Sequence, residues 1–390
     1  QVVRRLSRHN DAAMKNRGVQ LQYTLGQADQ RGADIHNPLF DLLSAVHEHG
    51  SIQHAAKAMG APYRHVWGAV KRWEETIGEP LVTWAQGQPA RLTPFAERLL
   101  WAETRARTRL TPHIEALRSE LERVMDEALD GTQHVLTIFA SHDLALPALR
   151  DIASQRHRLH IELRFAGSVD ALQALAAGRC LVAGFHVPPL KGGSPLFAQA
   201  MKPRLKPGLH KLIGCLRRAQ GLMVRPGNPL KLHSLADVAA LRARFVNRQP
   251  GSGTRLLMDH LLQSQQIEAA SIAGYDDTVE DSHVAVAASI ASGQYDVGPG
   301  IEAAARQFGL DFVPLVVEDY FLVCLKDALD HPAVLKLRQS LDSPEWTRAL
   351  ALLPGYQASR PGEVLSLVQA LPWWHFRHPK AGNEVDPGRA

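Results

Sequence analysis

The sequence predicts a multidomain α/β protein with an N-terminal winged helix-turn-helix, a long linker helix and a C-terminal bilobal α/β domain. Three observations carry this prediction: short helical periods separated by glycines, then one long helical pattern, then strands that alternate with helices. A length of 390 residues is enough for two or three domains. The expected boundaries are 1–93 for the winged module, 94–130 for the linker helix, 131–372 for the α/β domain and 373–390 for a flexible tail.

Composition bounds the location and the chemistry of the chain. The three cysteines are far apart and odd in number, which favours neither a disulfide framework nor a metal site. No apolar run is long enough to span a bilayer, and the basic, polar first residues lack the apolar segment of a secretory signal, so we expect a cytoplasmic protein without a membrane partner. The formal net charge is only +5, so any binding to nucleic acid must come from the placement of charges.

Two short helices joined by a glycine turn are predicted near the N-terminus. Leu39–His49 has a helical period and is followed by Gly50, a residue type that tolerates the left-handed cap. Ser51 is a favourable N-cap for the next helix, where Ala55 and Ala56 are small enough for two helices to cross closely. This arrangement is typical of a helix-turn-helix.

A third helix, from about Pro62 to Ile77, is the predicted DNA-reading helix, because its first turn carries side chains that can reach base edges or phosphates. Residues 80–93 form two predicted short strands around a Gln-Gly-Gln-Pro turn, a wing that would touch the minor groove or a phosphate, and residues 19–26 could add a strand. The alternative is a small helical bundle without a DNA role. The candidate DNA contacts are Ser51, Gln53, Tyr63, Arg64, His65, Lys71, Arg72 and Arg91.

The segment GSIQHAAKAMGAPYRHVWGAVKRWEETIGEPLV, with ARLTPFAERLL after it, resembles the N-terminal domain of molybdate-responsive regulators of the ModE type, which are related to LysR-type regulators. The match spans Leu39–Leu100 and rests on the patterns GSI-x-x-AAKA-x-G, Y-[RK]-x-x-W and LT-x-x-x-x-x-L. The resemblance implies a transcription regulator that binds double-stranded promoter DNA. It also implies that Tyr63, Arg64 and His65 enter the groove while Trp67 seats the reading helix.

The linker helix is predicted to restart or kink at Thr111–Pro112. Its apolar residues follow the spacings 4, 3, 4, 3 and 4, a pattern typical of a coiled-coil interface. These residues are Leu110, Ile114, Leu117, Leu121, Val124 and Ala128. The resemblance to LysR-type regulators implies a homodimer or homotetramer, which would place two reading helices on a pseudo-palindromic operator. The alternative is a helix that packs on its own domain.

Strands alternate with helices throughout the C-terminal part. Predicted strands lie at 134–140, 159–165 and 181–186, and the pattern recurs at 244–249, 295–298 and, as two segments, near 311–326. This alternation predicts parallel sheets covered by helices. Two such lobes with chain crossings between them predict the type II periplasmic-binding-protein fold, which LysR-type sensors share. Ligands of such sheets bind where strands end and helices begin.

The strongest candidate ligand site is the segment Val246–Arg255, VNRQPGSGTR. Its glycines expose backbone N–H groups, and a hydroxyl residue begins a helix with an arginine in its first turn, which favours an anion. The alternative is an ordinary glycine turn with an N-cap. Other helix starts are expected to line the same cleft. The candidate ligand-binding residues are Ser141, His142, Gly167, Ser168, Asn247, Arg248, Gly251, Ser252, Gly253, Thr254, Arg255, Ser282, His283 and Tyr320.

The α/β domain resembles the PBP-like domain that occurs with ModE-type modules and with molybdopterin biosynthesis proteins, through FVNRQPGSGTR and DSHVAVAASIASG. The resemblance implies sensing of molybdate, tungstate or the molybdenum cofactor. The OB-like repeats in which ModE regulators bind molybdate are not recognisable here, so their oxyanion residues do not carry over. The cationic and imidazole side chains Arg248, Arg255, His142 and His283 favour something larger or more highly charged, such as a phosphate-bearing cofactor or a carboxylate.

No catalytic signature is present: HExxH, GxSxG, the Walker loop and metal-spaced Cys/His clusters are all missing from the sequence. We therefore expect no enzyme activity, no covalent cofactor and no metal site. The alternatives to an anion-sensing regulator are a solute- or cofactor-binding protein without DNA function, and a regulator that senses an unrelated small carboxylate or phosphate.

Overall fold

The computed structural model describes residues 37–83, 90–129, 134–189 and 194–374. They form two compact units, of which the first ends at Arg107 and the second begins at Thr108, inside the helix that was predicted as a linker. The predicted strand at 19–26, the turn of the predicted wing and the tail beyond 374 lie outside the described residues. No helix in the described ranges is long and apolar enough to cross a membrane.

Three helices and a two-stranded antiparallel ladder make up the first unit. They are α1 (Pro38–His49), α2 (Ile52–Ala58), α3 (Tyr63–Ile77), β1 (Val82–Thr83) and β2 (Arg91–Leu92). Gly50 ends α1 at a φ of 61°, a backbone conformation that favours glycine. The Ser51 hydroxyl then caps α2 by accepting the N–H of His54 at 3.0 Å. The predicted helix-turn-helix is therefore confirmed.

Small residues bring the first helices of this unit into contact, as the sequence predicts. Ala55 is fully buried and Ala56 nearly so, and both belong to one apolar core with Leu43 of α1 and Val70 of α3. A larger side chain at either alanine would force α1 and α2 apart, because the interior of a protein is close-packed. Packing of these helices leaves the first turn of α3 in solvent.

The second unit is built on one mixed sheet of eight strands with helices around it. The strands of the unit are β3 (His134–Ala140), β4 (Leu159–Phe165), β5 (Val182–Val187), β6 (His210–Val224), β7 (Asn247–Arg248), β8 (Val279–Glu280), β9 (Val297–Ile301), β10 (Asp311–Leu325), β11 (Tyr356–Ala358) and β12 (Val364–Ser366). The longer helices, counting the one shared by both units, are α4 (Pro94–Leu129), α5 (Leu146–His157), α6 (Ser168–Ala176), α7 (Pro195–Met201), α8 (Leu235–Ala240), α9 (Gly253–Ser264), α10 (His283–Ala291), α11 (Glu302–Gln307), α12 (Pro332–Leu341), α13 (Pro344–Ala351) and α14 (Leu367–Ala370).

The order of strands in the sheet is β11, β6, β10, β5, β3, β4, and both β9 and β12 pair with β6. Only β3 pairs in parallel, with β4 and β5, while β6 and β10 pair antiparallel with their neighbours. A separate parallel pair joins β7 to β8. The predicted alternation of strands and helices is confirmed, but the expectation of purely parallel sheets is wrong.

Two long strands explain the difference. The sequence predicts two segments near 311–326, whereas β10 is one strand of 15 residues. The polar pair Glu318 and Asp319 suggested a break, but these residues pair across the ladder with Arg218 and Arg217 of β6. Each carboxylate therefore meets a guanidinium inside the sheet, and the strand continues. The 15-residue strand β6 was missed for the same reason, since its arginines interrupt an apolar run.

The sheet carries one apolar core on each face. Along β10, Tyr320 and Leu322 belong to one core, while Phe321 and Val323 belong to the other. This alternation follows from the two-residue period of a strand. Trp373, the first residue of the predicted tail, is 9% exposed and packs in the second of these cores.

Helix α4 runs through Pro112 without a break, so the predicted restart at Thr111–Pro112 does not occur. Proline removes a main-chain hydrogen bond within a helix. Ion pairs on both sides of Pro112 hold α4 to the second unit: Arg109 donates to both oxygens of Glu280, at 2.8 and 2.7 Å, and Glu115 accepts from Arg150 at 2.6 Å. These contacts keep the helical turns together where the main chain has lost a bond.

Candidate functional site

The first turn of α3 presents the predicted DNA contacts to solvent. Tyr63 is 49% exposed, and Arg64 and His65 are also exposed. These three residues lie at the N-terminal end of the third helix, where a reading helix makes its base contacts. The structure therefore leaves their side chains available to a partner.

The other predicted DNA contacts differ in their surroundings. Gln53, Arg72 and Arg91 are exposed, whereas Ser51 serves as the cap of α2. Lys71 lies over the ring of Trp67 at 4.9 Å and bonds to Glu74 at 2.8 Å. Glu74 also accepts the N–H groups of residues 81 and 82, so Lys71 helps to fix the start of the hairpin against α3.

The second unit contains a cleft of about 240 Å³ at the ends of its strands. It brings together residues that follow β3, β4, β7 and β8 and that begin helices α6, α9 and α10, as the strand-end rule predicts. The predicted residues that line it are Ser141, His142, Gly167, Arg248, Ser252, Gly253, Thr254 and His283. Gln249 and Asp281, which belong to the predicted segments, also line it, and the lining residues that the sequence did not indicate are Pro112, His113, Phe165, Ala166, His186 and Arg218.

Arg255 lies outside the cleft lining, although the sequence placed it in the anion site. Its guanidinium donates to Asp259 at 3.0 Å and to Asp276, and it lies over the ring of Tyr275 at 4.4 Å. Two carboxylates already balance its charge, so it has none to offer an anion. In the first turn of a helix, a side chain can point along the surface rather than toward the end of the strand, and the sequence does not distinguish these directions.

Three more predicted residues have structural roles. The Asn247 side chain donates to the carbonyl of Tyr275 at 3.0 Å and accepts the N–H of Arg248 at 2.8 Å, which fixes the end of β7. Ser282 caps α10 by accepting the N–H of Ala285 at 3.1 Å. Gly251 has a φ of 83°. A Cβ added to Gly167 would lie 2.9 Å from the carbonyl oxygen of Gly251, so these two turns are in contact through their backbones.

Tyr320 is fully buried beside the cleft rather than in its lining. Its ring packs against His186 with centroids 4.3 Å apart. A Cβ on Gly184 would lie 2.1 Å from the Tyr320 hydroxyl oxygen, so the ring occupies the space that this glycine leaves. The Ser168 hydroxyl is buried without a hydrogen-bond partner among the described residues, 3.2 Å from where a Cβ on Gly253 would be. It therefore faces the start of α9.

Arg218 is the central group of the missed set. It is 1% exposed, and its Nε donates to Glu318 at 2.8 Å while its Nη1 donates to Asp143 at 2.5 Å. The hydroxyl of Tyr356 donates to the same Asp143 at 3.0 Å. Burial alone would raise the pKa of Asp143, but Arg218 and His186 outweigh it and lower that pKa. Arg218 therefore holds two buried carboxylates in their charged form.

Arg248 has a different environment. It is 5% exposed, and its guanidinium donates only to the backbone carbonyls of Glu280, at 3.2 Å, and Asp281, at 2.8 Å. No carboxylate of the described residues lies within ion-pair distance. Burial, followed by the nearby charge of Arg218, lowers the pKa of Arg248 to about 10, so it remains a cation at neutral pH. A cation in such a place gains a counter-ion when an anion enters the cleft.

Three histidines around the cleft are neutral at pH 7. Burial, with Arg248 as the next cause, lowers the pKa of His142 to about 4, and burial likewise lowers the pKa values of His186 and His283. Arg218 lies 3.2 Å from Nε2 of His283, and a guanidinium can only donate, so Nε2 accepts and the proton is on Nδ1. That Nδ1 is buried without a partner in the described structure, which makes it a donor available to a ligand.

Comparison with known proteins agrees with the two-part organisation. Residues 39–97 match the model of the bacterial regulatory helix-turn-helix proteins of the LysR family, and residues 149–342 match the PBP superfamily domain. Uncharacterized protein YvgK of Bacillus subtilis (strain 168) is 32% identical over 202 residues. This match covers 52% of the chain and 64% of YvgK, so the chain spans somewhat less than two thirds of that relative. An uncharacterized protein from the 5' region of a ferredoxin 2Fe-2S gene of Clostridium pasteurianum is 32% identical over 112 residues, which cover 28% of the chain and 98% of the relative.

Solved structures give weaker likenesses. A mutant of OxyR from Corynebacterium glutamicum aligns with a TM-score of 0.41 and 16% identity, over 80% of the chain and 93% of OxyR. CbnR, a LysR family transcriptional regulator, aligns with a TM-score of 0.37 and 18% identity, over 77% of the chain and 98% of CbnR. The molybdate type of regulator remains a prediction from the sequence. The chain is thus similar to LysR-family helix-turn-helix proteins over residues 39–97 and to the PBP superfamily domain over residues 149–342.

Proposed function

We propose that the chain is a DNA-binding transcription regulator whose C-terminal domain binds a small anionic effector in the cleft. The proposal rests on Arg248, a buried cation at the wall of the cleft whose guanidinium, among the described residues, donates only to carbonyl oxygens. Removing a charge from water is costly unless a partner compensates for it. An anion in the cleft would supply that partner.

The DNA-binding half of the proposal is supported by the exposed first turn of α3 in a helix-turn-helix of the LysR family. Double-stranded promoter DNA is the proposed partner, and the cytoplasm is the proposed location. Arg64 and Arg72 supply positive charge on the exposed side of the reading helix, and Arg91 supplies it on the hairpin. Binding through such residues weakens as salt rises, because phosphate contacts release counter-ions.

Two classes of anion are candidates for the effector. The resemblance of the sequence to ModE-associated proteins favours molybdate, tungstate or the molybdenum cofactor. The arginine and imidazole groups of the cleft favour a small carboxylate or phosphate. A cleft of about 240 Å³ has room for an oxyanion, a small carboxylate or a phosphate.

Pairing of two chains through α4 is the proposed basis of a homodimer, on which a homotetramer could be built. Leu110, Leu117 and Val124 follow one another at seven-residue intervals and are 39%, 46% and 52% exposed. Large apolar side chains repeated at this interval suit a coiled-coil partner. Leu117→Glu is expected to lower the mass measured by light scattering toward that of one chain, whereas Leu352→Glu, the same change at an 83% exposed leucine outside α4, is expected to leave it unchanged.

The DNA-binding half is tested by gel retardation of the DNA upstream of the protein's own gene. Sequence-specific retardation that weakens steeply between about 50 and 200 mM salt would support it. Failure to retard any promoter-proximal fragment would instead favour a solute- or cofactor-binding protein without DNA function.

The anion-binding half is tested by calorimetry with phosphate, molybdate, tungstate and small carboxylates. Arg248→Met is expected to weaken the best of these by roughly tenfold to a hundredfold, since hydrogen bonds to charged groups contribute about 1.5–3 kcal/mol. Arg244→Met is the matched control, because Arg244 is 52% exposed and bonds to Asp296. Equal affinities in the two variants, or no binding by the unaltered protein, would overturn this half.

A further inference from the structure

We infer that the ligand of the cleft carries a hydrogen-bond donor beside its anionic group, and that Asp281 is the residue that selects for this donor. The inference rests on the proposed anion site and adds a ligand class to it. It is carried by the balance of charges around the cleft and by one buried carboxylate oxygen without a partner.

The charged side chains around the cleft nearly balance one another. Arg218 is fully engaged by Asp143 and Glu318. Arg248 and Asp281 then remain in the lining, one cation and one carboxylate, with no ion pair between them. These five groups comprise two guanidiniums and three carboxylates. A ligand that is only an acceptor of hydrogen bonds would satisfy Arg248 but would place its negative charge beside Asp281.

One oxygen of the Asp281 carboxylate lacks the donor that a buried acceptor needs. Its Oδ1 is buried and has no hydrogen-bond partner among the described residues, although its backbone carbonyl holds Arg248 at 2.8 Å. Burial raises the pKa of Asp281, and Arg248 opposes that rise. An unsatisfied buried acceptor costs about 1–3 kcal/mol, which a donor on the ligand would recover.

Apart from Asp281, the cleft lining carries hydrogen-bond donors. Nδ1–H of His283, in the lining at the start of α10, has no partner among the described residues. Together with Arg248 and the first residues of α9, which begins at Gly253, it suits the anionic group of the ligand. The cleft therefore has a donor-rich part and an acceptor, Asp281, and a ligand that matches both must offer both functions.

Three kinds of small molecule have this shared chemistry: an oxyanion that retains a proton, such as hydrogenphosphate, a hydroxy acid and an amino acid. Sulfate, molybdate and tungstate do not have it, because at about pH 8 they carry no proton. The volume of about 240 Å³ accommodates any of these molecules. The proton or ammonium group would donate to Oδ1 of Asp281 while the anionic oxygens accept from Arg248 and His283.

Calorimetry with matched probes tests the inference on the full-length protein at about pH 8. Hydrogenphosphate is compared with sulfate and with molybdate, and glycolate and glycine are compared with acetate, so that the panel separates a P–OH, a hydroxyl and an ammonium donor. At least one donor-bearing probe is expected to bind roughly tenfold or more tightly than its donor-free counterpart, the effect of about 1.4 kcal/mol. Equal or tighter binding of every donor-free probe would overturn the inference.

Asp281→Asn removes the charge of the carboxylate and places an N–H donor near the ligand. We expect this variant to gain affinity for sulfate by roughly threefold or more and to lose most of the preference for the donor-bearing probe. A gain of affinity cannot come from misfolding. Asp277→Asn is the control, since Asp277 is exposed and outside the lining, and it should leave the preference unchanged.

The two proposals fail in different ways. If Arg248→Met abolishes anion binding but Asp281→Asn leaves the preference for donor-bearing probes as it was, the anion site stands and the role of Asp281 is wrong. If no probe binds, the anion site itself is wrong, and the inference is overturned with it.

Discussion

The first turn of α3 and the cleft of the second unit both present arginine and histidine side chains, yet their physical settings are opposite. Arg64 and His65 lie in solvent, where water and salt screen their charges. Arg218 and His283 are about 1% exposed and depend on one another for hydrogen bonds. At the helix the charges are available to a partner at little cost to the fold. In the second unit, Arg218 and His283 hold the fold together and also line the cleft.

The greatest loss of stability is expected from a substitution at the buried Arg218. Arg218→Met leaves Asp143 and Glu318 buried without a cation, and breaking such a pair costs about 3–5 kcal/mol. Arg217→Met is the matched control on the same strand, since Arg217 is 41% exposed and its pair with Asp319 should be worth less than about 1 kcal/mol. Urea unfolding of the two variants measures the difference. Equal losses of stability in the two variants would show that burial does not distinguish these two ion pairs.

A second test uses acid. Unfolded His142 takes up a proton near pH 6.5, whereas the folded residue does so only near its pKa of about 4. Between these values the unfolded state binds more protons, so stability is retained at pH 7 and falls as the pH drops from about 6.5 to 4. At 1.36 kcal/mol per pKa unit, the loss is about 3 kcal/mol.

The slope of stability against pH in this window is measured by chemical unfolding at a series of pH values. His142→Gln should flatten it, because glutamine does not titrate. His233→Gln is the control at an exposed histidine and should leave the slope unchanged. A slope that His142→Gln does not alter would show that the buried histidines differ less from surface ones than we infer.

The smallest expected effect on stability lies in the reading helix. Arg64→Ala should weaken binding to a specific DNA site by about 1–3 kcal/mol and change the free energy of unfolding by no more than about 0.5 kcal/mol. Arg98→Ala, which changes an exposed residue outside α3 and the hairpin, should change neither. Gel retardation and urea unfolding provide the two readouts. A large loss of stability in Arg64→Ala would contradict the separation of roles.

The same contrast explains how much of the structure the sequence could predict. The helix-turn-helix depends on local signals: Gly50 and Ser51 end one helix and start the next within two residues. Arg218 depends instead on Asp143, 75 residues before it, and on Glu318, 100 residues after it. No local pattern indicates that these three meet. The one signal at hand was an arginine pair inside an apolar run, which is itself unusual in a buried strand.

The predicted N-termini of helices identified part of the lining of the cleft. Gly253, Thr254 and His283 line it because they begin helices at the ends of strands. Arg255 follows Gly253 and Thr254 by two positions and one position and nevertheless turns toward Asp259 and Asp276, since the direction of a side chain depends on its partners. Residue type and position in the helix therefore predicted the region of the site better than its individual contacts.

The presence of Pro112 in the lining of the cleft has a mechanical consequence for α4. A proline within a helix removes a main-chain bond and crowds the preceding turn, which lowers the resistance of the helix to bending at that point. The turn at Pro112, where this 36-residue helix lacks a main-chain bond, is thus also part of the wall of the cleft. A molecule that packs against Pro112 and His113 would restrict the bending of α4 at this turn. Binding of a molecule in the cleft would then increase the stiffness of α4.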